Sequence, residues 1–156
     1  MEPMTIREIL EAVDGKLLGE FSDLDLTVKH VFTDSRNPDP GALFIPLVGE
    51  RFDGHAFLNE ALEGGAAGCF TQRERETYLP GKFYIKVSST QKALRDLARH
   101  YKQKFKIPFV GVTGSVGKTT TKDMVAAVLG EKFKVLKTEG NFNNEVGLPL
   151  TLLRLN

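Results

Sequence analysis

The chain has 156 residues, of which 41% are hydrophobic and 26% are charged, and its formal net charge is +1. A chain of this composition can bury a sizeable core, and its nearly balanced charge gives no general electrostatic reason to bind nucleic acid or an anionic membrane. The single cysteine, Cys69, excludes an internal disulfide and fits a reducing compartment. The polar start is unlike a secretory signal, and no apolar run is long enough to cross a bilayer, so we expect a cytoplasmic protein.

Roughly the first hundred residues, the size of a small domain, alternate between helical and extended patterns. Thr5 and Glu8 form a capping box, and apolar residues at helical spacing follow it. Apolar runs bounded by turn residues predict strands at 16–18, 28–33, 42–47, 68–71 and 83–87. A short helix is predicted at 57–62, and a second capping box, Ser88 with Gln91, predicts a longer helix after the last strand.

Pro108 marks the predicted boundary between two domains, residues 1–106 and residues 107–156. The second domain is predicted to contain a strand at 109–112, a helix with Met124, Val125, Val128 and Leu129 inward, a strand near 134–136 and a helix with Pro149 in its first turn. The predicted fold class is therefore α/β, a small mixed-sheet N-terminal domain followed by the opening βαβα of a phosphate-binding domain.

The most informative segment is the glycine-spaced turn that follows the apolar run 109–112. Lys118 and Thr119 come directly after it and open a helical pattern. Small residues let backbone N–H groups converge on an anion, the helix N-terminus adds its positive dipole end, and the lysine adds a full charge. We therefore predict a polyphosphate site with the Thr119 hydroxyl on Mg²⁺. Its residues are Thr113, Gly114, Ser115, Val116, Gly117, Lys118, Thr119 and Thr120.

The match to the P-loop pattern is incomplete, because its first glycine falls on Val112 and Gly111 lies one position too early. The alternative interpretation is an ordinary glycine-rich turn with an exposed lysine. A P-loop ATPase also needs further parallel strands, an acidic Mg²⁺ partner and a group that positions water or substrate. Since the sequence offers no room for them, we expect the N-terminal part of a longer enzyme, inactive by itself.

Four motifs, in this order, resemble the Mur ligases of bacterial peptidoglycan synthesis. They are Thr33-Asp-Ser-Arg36, Pro40-Gly-x-Leu-Phe-Ile45, Gly49-Glu-Arg-Phe-Asp-Gly-His55 and Thr113-Gly-Ser-x-Gly-Lys-Thr-Thr120. The segment Gly140-Asn-Phe-Asn-Asn-Glu-Val-Gly-Leu-Pro149 is similar to the family member that adds D-Ala-D-Ala. The resemblance covers essentially the whole chain.

The resemblance implies an enzyme that uses ATP and Mg²⁺ to join D-Ala-D-Ala to UDP-N-acetylmuramoyl-tripeptide through an acyl phosphate. Residues 1–106 would hold the UDP end of the substrate, and residues 107–156 would open the ATP-binding domain of an enzyme that is monomeric at full length. Lys118 would be the catalytic residue and contact the β- and γ-phosphates. Substrate contacts are expected from Asp34, Ser35, Arg36, Gly49, Glu50, Arg51, Phe52, His55, Asn141, Asn143 and Asn144.

Several of these residues also have purely local interpretations. Asp34 and Arg36 could pair with each other on a surface turn. His55 could either contact a ligand or cap the helix that follows it, and the three asparagines could simply form a turn. For Glu145 we expect a role at a helix N-terminus rather than metal binding.

Other functions compete with the proposed ligase. Within the superfamily the alternatives are a Mur ligase that adds a single amino acid and a folylpolyglutamate synthase, although folate enzymes lack the N-terminal UDP domain pattern. Outside it, the alternatives are a non-catalytic module that binds a UDP-sugar or nucleotide and a conventional P-loop phosphotransferase or GTPase. The last of these requires a guanine- or acceptor-recognition motif, which the sequence does not contain.

Overall fold

The computed structural model describes residues 1–50, 52–140 and 144–156. Its strands are β1 (Met4–Thr5), β2 (Lys16–Leu18), β3 (Thr27–Val28), β4 (Val31–Phe32), β5 (Leu43–Phe44), β6 (Val48–Gly49), β7 (Phe52–Asp53), β8 (Gly68–Thr71) and β9 (Phe83–Lys86). Its α-helices are α1 (Ile6–Val13), α2 (Leu58–Glu63), α3 (Thr90–Lys102), α4 (Lys118–Gly130) and α5 (Gly147–Leu152), and a 3₁₀ turn at Gly54–Phe57 precedes α2. Within these ranges, no helix is both long and apolar enough to cross a bilayer.

A mixed five-stranded sheet in the order β2-β9-β8-β5-β4 forms the centre of the fold. The contacts from β9 to β4 are parallel, whereas β2 joins β9 antiparallel. Two antiparallel pairs, β1 with β3 and β6 with β7, lie outside this sheet. The α/β class and the mixed sheet predicted from the sequence are therefore confirmed.

The two faces of the sheet are buried by different helices. The register sets one apolar row across four strands, Leu18 opposite Tyr84, Tyr84 opposite Cys69 and Cys69 opposite Phe44. This row packs against α2. The alternate residues of the same strands, such as Phe70 and Phe83, face the larger cluster that contains α1 and α3. The strands are thus apolar on both faces, as expected for a sheet covered on each side by helices.

Local signals position most of the N-terminal elements. The Thr5–Glu8 capping box is confirmed, because Thr5 Oγ1 accepts the Glu8 N–H at 3.1 Å while the Thr5 N–H donates to Glu8 Oε2 at 2.8 Å. The second predicted box is wrong by one residue. Ser89 caps α3 by accepting the Lys92 N–H, and the Gln91 amide instead donates to a distant backbone carbonyl.

The strands predicted at 109–112 and 134–136 are wrong, since neither stretch forms a strand. A strand needs a hydrogen-bonding neighbour, and neither segment pairs with any part of the chain that the structure describes. The helix between them is confirmed as α4, but its predicted inward face is wrong. Met124 is 65% exposed and Val128 is 74% exposed, because the described residues provide no sheet on which this face could pack.

The C-terminal segment packs against the N-terminal unit. Helix α5 lies on α3, and Leu153 and Leu155, which follow it, join the same buried cluster as α1 and α3. The Tyr101 hydroxyl, on α3, donates to the Leu155 carbonyl at 2.6 Å and accepts the Glu2 N–H at 2.5 Å. Residues on both sides of the predicted boundary at 107 therefore share one core.

Candidate functional site

The phosphate-binding turn predicted at 113–120 ends in a helix whose N-terminus is open. Gly117 occupies the N-cap position with φ = 78°, and Gly114 has φ = 149°, so both need backbone conformations that L side chains rarely adopt. No side chain of the described residues caps the thirteen-residue helix α4 that follows. Its first N–H groups are therefore available to an anion, together with the positive end of the helix dipole.

The Lys118 side chain folds back over this turn, where its ammonium donates to the Gly114 carbonyl oxygen. The turn is otherwise open to solvent, and Val116 at its tip is 89% exposed. The exposed Thr119 hydroxyl follows Lys118 directly. The backbone N–H groups of the turn, the helix N-terminus without a side-chain cap, one ammonium and one hydroxyl are the kinds of group that suit a polyphosphate with a hydrated cation. Among residues 1–50, 52–140 and 144–156, no cluster of three histidine, cysteine or carboxylate side chains could by itself hold a metal.

The Asp34-Ser35-Arg36 turn follows β4 and forms the ion pair that the sequence left open as an alternative. Arg36 Nε and Nη2 donate to the two carboxylate oxygens of Asp34 at 2.8 and 2.7 Å, and the Arg36 N–H donates to Asp34 Oδ1 at 3.1 Å. The guanidinium lowers the pKa of Asp34 from 3.8 to about 2. Ser35, which lies between them in the sequence, is buried, and the Arg36 side chain is 83% exposed.

An open cleft of about 430 Å³ lies beside this turn. Its walls come from Met1, from residues 29–34 with Asn37 and Asp39 around β4, and from the segment around α5. Of the Asp-Ser-Arg turn, Asp34 lines the cleft. Lys29, His30 and Arg154 supply basic groups, and Asp34 and Asp39 supply acidic ones. The phosphate-binding turn, although fully described, is not part of this cleft. The structure therefore brings Asp34 into one cleft with the segment around α5, and the predicted phosphate site lies outside that cleft.

The predicted substrate loop 49–55 forms the β6–β7 hairpin and the start of the 3₁₀ turn. Gly49 pairs with Phe52, and Glu50 lies in the connecting turn, while Arg51 lies outside the described residues. The ring of Phe52, which is 53% exposed, stacks on that of Phe57 with centroids 5.6 Å apart. The hairpin therefore exposes an aromatic pair to solvent.

His55 lies beneath the hairpin. Its Nδ1 is 2.6 Å from Asp53 Oδ1, and its Nε2 accepts the backbone N–H of Gln72 at 3.1 Å. Both ring nitrogens are thus engaged by the protein itself, which leaves none for the predicted ligand contact in this arrangement. The predicted capping alternative belongs to Asp53, whose carboxylate accepts the His55 N–H at 3.0 Å. Two hydrogen bonds from His55 lower the pKa of Asp53. The one from the backbone N–H has the larger effect, and the one from the ring comes second.

Of the predicted asparagine loop, Asn141 and Asn143 lie outside the described residues. The Asn144 side chain accepts the N–H groups of Val146 and Gly147 at 3.2 and 2.7 Å, which is the local turn role of an asparagine before a helix. The expectation that Glu145 serves a helix N-terminus is wrong. Its carboxylate pairs with the exposed side chain of Arg95 on α3 at 2.9 Å.

Sequence reasoning missed the residues that hold the hairpin. The Gln91 side-chain amide donates to the Val48 backbone carbonyl at 2.8 Å, and the side-chain oxygen Oε1 of Gln72 accepts two hydrogen bonds from Thr90. No local pattern pairs residues so distant in sequence. The Asp53 cap was detectable, because an Asp-Gly pair before a helical run is an ordinary N-cap signal.

Two family models match the chain. One, described as "Mur ligase family, catalytic domain", matches residues 27–102, and the other, "Mur ligase middle domain", matches residues 112–156. The chain belongs to the Mur ligase family. The first match contains the Asp-Ser-Arg turn and the hairpin, and the second contains the phosphate-binding turn of this Mur ligase chain.

Two relatives of this Mur ligase chain are D-alanyl-D-alanine-adding ligases by name. The UDP-N-acetylmuramoyl-tripeptide–D-alanyl-D-alanine ligase of Bacillus subtilis is 47% identical over 97% of the chain, and that of Escherichia coli is 39% identical over 99% of it. The chain spans about a third of the length of these relatives, 33% in both cases.

Solved structures agree with this assignment. A crystal structure of MurF from Acinetobacter baumannii matches 100% of the chain with a TM-score of 0.88 and 31% identity, and the chain covers 34% of that protein. The MurF ligase of Thermotoga maritima in complex with ADP matches 79% of the chain with a TM-score of 0.71 and 40% identity, and the chain covers 28% of it.

Proposed function

We propose that this chain supplies the substrate-binding unit and the phosphate-binding turn of an ATP-dependent ligase that joins D-Ala-D-Ala to UDP-N-acetylmuramoyl-tripeptide. The observation that carries the proposal is the glycine-capped, open N-terminus of α4 in a chain 47% identical to a ligase of this name. The ADP complex of the Thermotoga relative supports ATP as the nucleotide.

Two units are proposed within the chain, residues 1–106 for the UDP substrate and residues 107–156 for the opening of the ATP-binding domain. Support comes from Pro108, which follows the end of α3, and from the two family matches, which leave residues 103–111 between them. The packing of α5 on α3 would couple the two units through a shared apolar contact.

At the phosphate-binding turn, the residues of this chain would neutralise and align charge. The backbone N–H groups of residues 114–119 would bind phosphate oxygens, and the Lys118 ammonium would leave the Gly114 carbonyl for the β- and γ-phosphates. Thr119 would offer its hydroxyl to Mg²⁺. ATP bound there would supply the phosphoryl group that activates the substrate carboxylate, which is otherwise a poor electrophile.

At the other end of the substrate, Asp34, which lines the cleft, and its neighbours Ser35 and Arg36 are proposed to contact the UDP moiety. The Arg36 guanidinium is exposed and donates to the Asp34 carboxylate. A ligand phosphate would therefore compete with that carboxylate for the guanidinium N–H groups. The hairpin residues Gly49, Glu50, Arg51 and Phe52 are proposed as further contacts.

The proposal is tested with Lys118→Ala in a full-length ligase that carries these 156 residues. We expect turnover to fall by at least about a hundredfold, the scale for loss of one preorganised charged donor, while calorimetry finds unchanged affinity for UDP-N-acetylmuramoyl-tripeptide. Lys122→Ala is the matched control, because its ammonium lies on the same helix but donates to the Thr138 carbonyl. Near-normal ligation by Lys118→Ala would refute the assigned role.

A second measurement separates the ligase from its alternatives. Calorimetry on the 156-residue chain with UDP-N-acetylmuramoyl-tripeptide, UDP and ATP is expected to give binding of the UDP-peptide and weak or no binding of ATP. Binding of ATP alone would favour the nucleotide-binding module. In the full-length ligase, faster use of a single amino acid than of D-Ala-D-Ala would favour the amino-acid-adding member of the family.

A further inference from the structure

The hydrogen-bond partners of the His55 ring determine which of its two nitrogens carries the proton. A backbone N–H can only donate, so the Gln72 N–H at 3.1 Å requires an unprotonated Nε2 on His55. The ring proton must then lie on Nδ1, where Asp53 Oδ1 accepts it at 2.6 Å. The side chain of His55 is only 9% exposed, and the Arg73 guanidinium lies 3.4 Å from the other oxygen of Asp53.

This arrangement removes His55 from direct chemistry. A general base needs a free ring nitrogen, and a ligand contact needs a free donor or acceptor, whereas both positions on this ring are used by the protein. The ring instead joins two separate elements of the fold. Asp53 ends the β6–β7 hairpin, and Gln72 directly follows β8, the central strand of the main sheet.

The link to the sheet continues into α3. The Gln72 side chain accepts two hydrogen bonds from Thr90, at the first turn of α3, and the neighbouring Gln91 donates to the Val48 carbonyl of the hairpin. The chain also turns closely at Gly54, where a Cβ would come within 2.9 Å of the Leu47 backbone. The hairpin is therefore held by several hydrogen bonds. The nearly buried His55 ring bonds both to Asp53 of the hairpin and to the Gln72 N–H at the end of β8, and the exposed Arg73 side chain adds a longer contact to Asp53.

We propose that His55 is a positioning residue, which holds the β6–β7 hairpin and its stacked Phe52–Phe57 pair in the orientation that receives the UDP-peptide. The inference rests on the proposed function of this loop in substrate binding. It replaces direct ligand contact by His55 with an indirect role, in which the ring preorganises the surface that the substrate meets.

Three variants of His55 in the full-length ligase separate the two hydrogen bonds. In His55→Gln, the longer side chain brings an amide oxygen to the position of Nε2 and retains an acceptor for Gln72. In His55→Asn, the shorter side chain retains a donor for Asp53 and loses the bond to Gln72. His55→Ala loses both. His100→Asn, on α3, is the matched control for replacing a histidine outside the hairpin network.

We expect KM for the UDP-peptide to rise about tenfold in His55→Ala and His55→Asn with kcat within about twofold of wild type, and His55→Gln to restore KM to within about threefold. Circular dichroism establishes that each variant is folded. A fall in kcat at unchanged KM, or an unchanged KM in His55→Ala, would overturn the positioning role.

A spectroscopic measurement tests the arrangement independently of any substrate. Two-bond ¹H–¹⁵N correlation spectra of the wild-type 156-residue chain are expected to show the Nδ1-protonated form of His55, and hydrogen exchange of the Gln72 amide is expected to be slow in wild type and fast in His55→Asn. An Nε2-protonated ring would overturn the inference. If wild type shows this arrangement yet binds no UDP-peptide, the proposed function of the loop is what fails, and the positioning of the substrate surface fails with it.

Discussion

The Tyr101 hydroxyl is the contact that most directly ties the C-terminal segment to the N-terminal unit, and Tyr101→Phe removes it with little change of volume. The hydroxyl donates to the Leu155 carbonyl at 2.6 Å in a buried setting and accepts the Glu2 N–H at 2.5 Å. Glu2 is exposed, so its N–H can turn to water, whereas the Leu155 carbonyl loses its partner inside the core.

An unsatisfied buried carbonyl costs about 1–3 kcal/mol, so we expect a loss of about 2 kcal/mol in the free energy of unfolding. For a chain of this size, that loss corresponds to a fall in Tm of roughly 4–8 °C. Urea unfolding followed by circular dichroism measures the first quantity, and hydrogen exchange of the amides in α5 tests whether this segment loosens first.

Tyr84→Phe is the matched control, because within the part of the chain that the structure describes its hydroxyl makes one hydrogen bond, in which it accepts the Leu79 N–H at 3.1 Å. Its loss is expected to cost less than about 1 kcal/mol. Equal losses in the two variants, or a Tyr101→Phe protein within about 0.5 kcal/mol of wild type, would refute the reasoning that this hydroxyl anchors the segment after α5.

Three further predictions concern single positions. Gly68→Ala is expected to prevent stable folding, since a Cβ there would lie 2.3 Å from the Phe83 carbonyl oxygen of the neighbouring strand; thermal melts and solubility measure this. The pKa of the Asp34 carboxyl is lowered from 3.8 to about 2. Its ion pair therefore stabilises the folded state fully above about pH 3.8, and this contribution is lost as the pH falls through about 2. NMR titration of Arg36→Ala is therefore expected to return the Asp34 pKa towards 3.8, and an unchanged pKa would contradict the ion pair. Burial raises the pKa of the Cys69 thiol to about 12, so iodoacetamide at pH 8 is expected to label it only after unfolding, and rapid labelling of the native chain would contradict this.

The sequence predicted best where a signal lies within a few residues. The capping box at Thr5 and Glu8, the apolar run of β8 and the glycine before Lys118 each specify a local hydrogen-bonding pattern or a backbone conformation, and all three elements form as expected. A one-residue error in the position of a helix cap was harder to exclude. Ser88 and Ser89 are adjacent serines with equal capping chemistry, and only the start of α3 distinguishes them.

The predicted strands at 109–112 and 134–136 failed for a different reason. Their apolar, β-branched composition is compatible with a strand, but a strand exists only when another strand satisfies its backbone groups. Composition cannot supply that partner, and the described residues do not contain one for either segment. The exposed apolar face of α4 has the same cause.

The candidate site shows a similar division. The amino-acid sequence alone determined the phosphate-binding turn and the motifs of the Mur ligase family, because glycine conformation, helix start and residue order are properties of contiguous chain. Only the tertiary structure decided that α5 packs on α3 and that His55 faces Gln72. Each of those outcomes depends on which groups become neighbours after folding, and polar side chains take the partner that burial and geometry bring within hydrogen-bonding distance.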